Sequence, residues 1–201
     1  MNGVVFIRMV VSWTVVVFFV YGGFDAQAIV VNPTNQQIQQ AVDRGMEAAQ
    51  HRTPPNQLYW QFGGTHSFDS HGFLVTKLGG VTVMSAHFGL RHERPSDQEV
   101  ERFLNGSDLQ ITVTIFGSMP QFAVESYMVL KQGNRFIKPA RVRFDARGIR
   151  TAVWPEWPPY RANVIGFFPY GTFDPFARTL ISVFPGDGGE TSFELDFSAI
   201  P

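Results

Sequence analysis

Four of the chain's five histidines fall between His66 and His92, with Asp69 and Glu93 among them. Imidazole nitrogens and carboxylate oxygens are ligands that zinc, copper and iron accept. His66, Asp69, His71, His87 and His92 therefore form the candidate set for a divalent metal, the one cofactor the sequence suggests. The spacing matches no familiar centre. His87 and His92 would stand about 140° apart around a helix, and neither an HExxH pair nor a CxxC companion is present. The competing reading is a set of polar loop histidines bonded to nearby backbone. Nucleophilic catalysis has less support, since the chain has no Cys and no GxSxG elbow. Ser67 and Ser70 lie beside His66 and Asp69 in sequence, whereas a triad is assembled in space.

A second candidate is the run Trp154-Pro155-Glu156-Trp157-Pro158-Pro159-Tyr160. Flat rings held by prolines, with a carboxylate between them, suit a sugar: its apolar face packs on an indole while its hydroxyls reach the acid. Trp154, Glu156, Trp157 and Tyr160 are the ligand-binding candidates, and Tyr59, Trp60 and Tyr170 would join them if the fold brought them near. The competing reading is that these rings plug one end of a core and the prolines stiffen a connection. A third stretch is basic: Lys131, Arg135, Lys138, Arg141, Arg143, Arg147 and Arg150 are opposed only by Asp145. On a strand Arg141 and Arg143 share a face that could meet anionic lipid or acidic polysaccharide. The acidic residues Asp174, Asp187, Glu190, Glu194 and Asp196 offer the alternative of compensation across the surface.

The elements that must position these residues change character along the chain. Thr34 and Gln37 form a capping box, and Ile38, Ala41, Val42, Gly45 and Ala49 recur at helical spacing. Residues 57–88 lack clean periodicity, because helix and strand templates fit Val81 to Phe88 equally well; a helix ending near Leu90 is the expectation adopted. Ser96 and Glu99 form a second capping box, and Asn105-Gly106 ends that helix. From Leu109 the period becomes two: Leu109, Ile111, Val113 and Ile115 alternate with Gln110, Thr112, Thr114 and Phe116. Strand-like runs follow at 122–130, 135–145, 162–168, 178–184 and 191–197, separated by turn residues.

Residues 109–197 thus resemble the immunoglobulin-like sandwich class in architecture, without its cysteine pair or any motif that carries a function. The expected fold is mainly β with a helical N-terminal segment, an α+β arrangement on an antiparallel immunoglobulin-like β-sandwich. Three parts are expected: a signal peptide over 1–28, a helical or irregular segment packed on the core over 29–107, and the antiparallel sandwich over 108–201.

The signal peptide rests on Arg8, the uncharged and mostly apolar run Met9 to Phe24, and the small-x-small sequence Ala26-Gln27-Ala28. That run is shorter than the roughly 20 residues a membrane-spanning helix needs, which favours cleavage before Ile29 over an anchor. An exported chain without cysteine must rely on a packed core, and the absence of disulfides points to a bacterial envelope, periplasmic or extracellular. The net charge of −1 argues against nucleic acid. The reading that results is a non-catalytic binding or interaction module, partnered by a glycan or another envelope protein and without a membrane span once the signal is removed. A metal-dependent enzyme built on residues 66–93 and a structural subunit of an envelope assembly stay open as alternatives.

Overall fold

The computed structural model describes residues 28–200. The expected signal peptide lies outside the described residues except for Ala28, which is buried beside Ile29. Both predicted capping boxes form. Helix α1 (Asn35–Gln50) begins where the Thr34 hydroxyl accepts the Gln37 N–H at 3.3 Å and the Gln37 side chain accepts the Thr34 N–H at 2.9 Å. Helix α2 (Lys77–Gly89) is capped by Thr76, whose hydroxyl accepts the Gly79 N–H at 3.0 Å. Helix α3 (Asp97–Leu104) is capped by Ser96 and Glu99. The helices share an apolar cluster that includes Val42, Leu78, Val81, Met84 and Val100. Among the described residues no helix is long and apolar enough to cross a membrane.

Among the described residues ten strands form two sheets. The larger contains β1 (Trp60–Gly63), β2 (His71–Val75), β3 (Asp108–Gly117), β6 (Arg141–Phe144), β7 (Ile149–Arg150) and β8 (Tyr160–Pro169). Its order is β1-β2-β3-β8-β6, and β7 also pairs with β8. The smaller contains β4 (Tyr127–Gln132), β5 (Arg135–Ile137), β9 (Arg178–Phe184) and β10 (Thr191–Asp196), in the order β10-β9-β4-β5. Every pairing is antiparallel. The inward rows of both sheets feed one core: Ile111 and Val113 from β3, Val164 and Phe168 from β8, Met128 and Leu130 from β4, Ile181 and Val183 from β9. Phe62 and Phe193 close β1 onto β10 edge to face at 5.0 Å.

An immunoglobulin-like sandwich built from residues 109–197 is not what the chain forms. The fold is a mixed arrangement of helices with two open sheets, neither closed nor curled onto itself. Two strands of the larger sheet come from residues 60–75, ahead of the region assigned to the sandwich, and the helices bring a cluster of their own. Alternation along a strand shows that one face is buried, and it carries no information about which strand lies beside it. The run at 122–130 is also corrected. Residues 122–126 form a turn in which Glu125 takes φ 63°, and the strand begins only at Tyr127. Phe122 instead tucks beneath Gly117, where an added Cβ would meet its ring at 2.2 Å.

Candidate functional site

The aromatic run occupies residues 151–159, the connection from β7 to β8. Its base is tied by Thr151, whose N–H donates to the Pro159 carbonyl at 3.0 Å and whose hydroxyl donates to the Pro158 carbonyl at 2.5 Å. Within it the Glu156 N–H donates to the Val153 carbonyl at 2.9 Å. Pro158 and Pro159 are buried and both Trp-Pro peptide bonds are cis. Above this base Trp154 is 43% and Trp157 70% exposed, with Glu156 also in solvent. The tryptophans do not plug the core. The Arg150 guanidinium lies 4.1 Å from the Trp154 ring centroid, a cation–π contact that leaves a positive charge beside the exposed rings.

Not every aromatic candidate joins them. Tyr160 packs against the main core. Tyr170 follows the opposite end of β8, about 33 Å away at the rise of an extended strand. Tyr59 stacks on Phe73 at 4.9 Å, and Trp60 lies on the edge strand β1 opposite Leu74. Prolines and tryptophans in one short run were visible in sequence; which rings face water was not.

The histidine candidates divide between two places. His66 and Asp69 belong to the connection between β1 and β2 and His71 opens β2, whereas His87 lies in the last turn of α2 and His92 follows that helix with φ 62°. His66 Nδ1 is 2.8 Å from Asp69 Oδ2, and His71 Nδ1 donates to the Asp69 carbonyl oxygen at 2.8 Å. A metal bound at either imidazole would therefore use Nε2. The His66 side chain, and then its backbone N–H, hold the Asp69 carboxyl below its ordinary value. Among the described residues no three His, Cys, Asp or Glu side chains gather as a metal site requires.

His71 has neighbours that sequence spacing did not reveal. Sheet register places it opposite Thr114, which is itself opposite Asn163, all on the outer face of the larger sheet. The Thr114 hydroxyl donates to Asn163 Oδ1 at 2.9 Å, and the Asp145 carboxylate accepts the Asn163 N–H at 2.8 Å. The alternation of β3 had placed Thr114 on the polar face, but its partners required the register.

The basic stretch is divided: Arg141 and Arg143 on β6 share this outer face, whereas Lys131 and Arg135 belong to β4 and β5 of the smaller sheet. Arg141 lies opposite Phe167 and Arg143 opposite Ile165, and the Arg141 guanidinium sits 4.1 Å from the Phe167 centroid. Ion pairs among the described residues join His66 to Asp69, Arg91 to Glu93 and Arg94 to Asp43. Among the described residues no ion pair joins the basic stretch to the acidic strands, although Lys131 and Arg135 share the smaller sheet with β10 and Arg178 lies opposite Asp196 there. At the far end of β8, burial pushes the Tyr170 phenol up to about 12, opposed by the backbone N–H of Lys77.

No protein-family model and no curated protein matches this chain. Among solved structures it is similar to the archaellum periplasmic stator protein FlaG from Sulfolobus acidocaldarius, at 7% identity and a TM-score of 0.32, over 44% of this chain and 86% of that one. It is also similar to the stator protein complex of FlaF and FlaG from the same organism, at 10% identity and a TM-score of 0.28, over 44% of this chain and 77% of that one. TM-scores this low establish neither a shared fold nor a shared role.

Proposed function

We propose that this protein is an exported, non-catalytic envelope module that recognises a glycan through the loop of residues 151–159. The observation that carries this reading is the pair of exposed indoles on a backbone tied shut by Thr151. Apolar ring surface left in water gains nothing from folding, and a loop already held in one conformation loses little entropy when it binds. Trp154 and Trp157 offer stacking faces, and Glu156 and Arg150 supply an acceptor and a donor for hydroxyls at their rim. Export rests on the sequence pattern of residues 8–28 described above.

A glycan array of neutral and acidic oligosaccharides tests the reading, followed by the Trp154→Ala/Trp157→Ala double variant. The expected result is binding by the native protein that the variant loses, with the melting temperature unchanged to within about 2 °C. Undiminished binding by the variant, or no binding by the native protein, would sink it.

The reading as a structural subunit also has an observation behind it. Open sheets leave β1, β5, β6, β7 and β10 as outermost strands, and an outermost strand is where a neighbouring chain can pair. Arg141 and Arg143 on β6 blunt one of these edges, so β10 or β1 would be the pairing strand in such an assembly.

A further inference from the structure

At the end of β8 away from the tryptophan loop, the chain gathers cations that are scattered in sequence. Lys77 at the start of α2, Arg102 in the last turn of α3 and Arg141 on β6 all line one cleft of about 400 Å³. Aromatic side chains hold two of them in place. Lys77 Nζ lies 5.2 Å from the centroid of Tyr170, and the Arg141 guanidinium lies over Phe167, both rings being part of the cleft wall. Phe103 makes a third apolar wall; it is 41% exposed and leans across Gly80, where an added Cβ would come within 2.8 Å of its ring.

None of the three cations takes part in an ion pair among the described residues. Asp108 is the only carboxylate of the cleft, and it accepts the Ser107 hydroxyl at 2.9 Å. The Tyr170 hydroxyl is buried and has no well-aligned hydrogen bond. An anion in the cleft would meet positive charge from three elements, and the two guanidinium forks would supply donors to its oxygens.

We propose that this cleft binds a phosphate ester whose apolar substituent packs on Phe103, Phe167 and Tyr170. Cations approaching from three elements suit an anion that presents several oxygens in different directions, as phosphate does, better than a flat carboxylate. The volume fits a small molecule or a lipid headgroup and not a polymer. The site is separate from the tryptophan loop, so either reading can fail without the other.

Isothermal titration of the native protein with inorganic phosphate and with phenyl phosphate, beside sedimentation with phosphatidylglycerol vesicles in phosphatidylcholine, separates the sources. Binding of phenyl phosphate tighter than phosphate marks a soluble ester; vesicle binding alone marks a lipid headgroup. Each cation removed in Arg102→Gln and Lys77→Gln is expected to weaken the observed binding about tenfold. Arg102 is exposed, so Arg102→Gln keeps the test readable if Lys77→Gln disturbs α2. No binding of any of the three probes, or binding indifferent to Arg102→Gln, overturns the proposal.

Discussion

Between α1 and α2 the closest approaches are made by Gly45, Ala49 and Gly89, whereas between the two sheets the space is filled by Phe122, Phe168 and Phe197. In the first region backbone meets backbone or a small side chain almost directly: a Cβ on Gly45 would fall 2.2 Å from the Thr82 carbonyl oxygen, and one on Gly89 2.6 Å from Ala49 Cβ. In the second, whole rings lie out of water and interlock. One region therefore has no room for added atoms, and the other has no way to refill lost ones. The chain can be destabilised from either direction, depending on which of its two apolar clusters is touched.

The largest effect belongs to the sheets. Phe168 is fully buried, and Phe168→Ala should cost about 3–5 kcal/mol by loss of transfer energy and creation of a cavity. Chemical unfolding measures it directly, and a cost below about 1 kcal/mol would mean that the sheets collapse around the gap. Gly45→Ala sharpens the contrast through its sign. In an exposed helix this change gains up to about 1 kcal/mol, but here the close approach should turn the gain into a loss of about 1–3 kcal/mol. A stabilised variant would show that α1 can move away from α2 at no cost.

Smaller effects probe the helix ends. Thr34→Ala removes the α1 cap and should cost about 1 kcal/mol in the same unfolding experiment. Acidity should then loosen α3. The Ser96 N–H and hydroxyl donate to Glu99 at 2.7 and 2.8 Å and hold its carboxyl below the ordinary value. A carboxylate whose folded value is depressed contributes fully above its unfolded value, and the contribution is lost as pH falls through the folded one. Amide protection in α3, taken relative to the intrinsic exchange rate at each pH, should fall over that acidic window, and Glu99→Gln should abolish the fall. An identical pH response in the Gln variant would place its origin elsewhere.

Alternation over residues 178–184 predicts a strand with the bounds that β9 takes, and Thr34 with Gln37 and Ser96 with Glu99 mark the starts of α1 and α3. Each of these signals is local, set by side-chain alternation or by a hydrogen bond spanning three residues. Strands β1 and β2 escaped because their run is broken by Gly63, Gly64 and Gly72 and carries the histidines that suggested other chemistry. Gly72 is required by the sheet: an added Cβ there would stand 2.4 Å from the Thr112 carbonyl oxygen of the neighbouring strand.

The candidate site divides along the same line. Adjacent tryptophans and prolines announced a loop in the sequence, and Trp154, Glu156 and Trp157 do share its exposed part. Tyr160, next in the chain, turns to the core because it begins a strand whose inward row it continues. His87 and His92 lie on a different element from His66 and His71, and sequence proximity could not show that a sheet strand and a helix would separate them.

By itself the sequence determined the period of β3 and β9, the caps that start α1 and α3, the absence of disulfide constraints and the aromatic loop, since each depends on residues within a few positions of one another. Tertiary structure alone decided which strands became neighbours, that the sheets stayed open, and that Lys77, Arg102 and Arg141 would border one cleft. Those outcomes depend on contacts between residues far apart in the chain, chosen by the burial of whole faces against one another, and no local pattern encodes the choice.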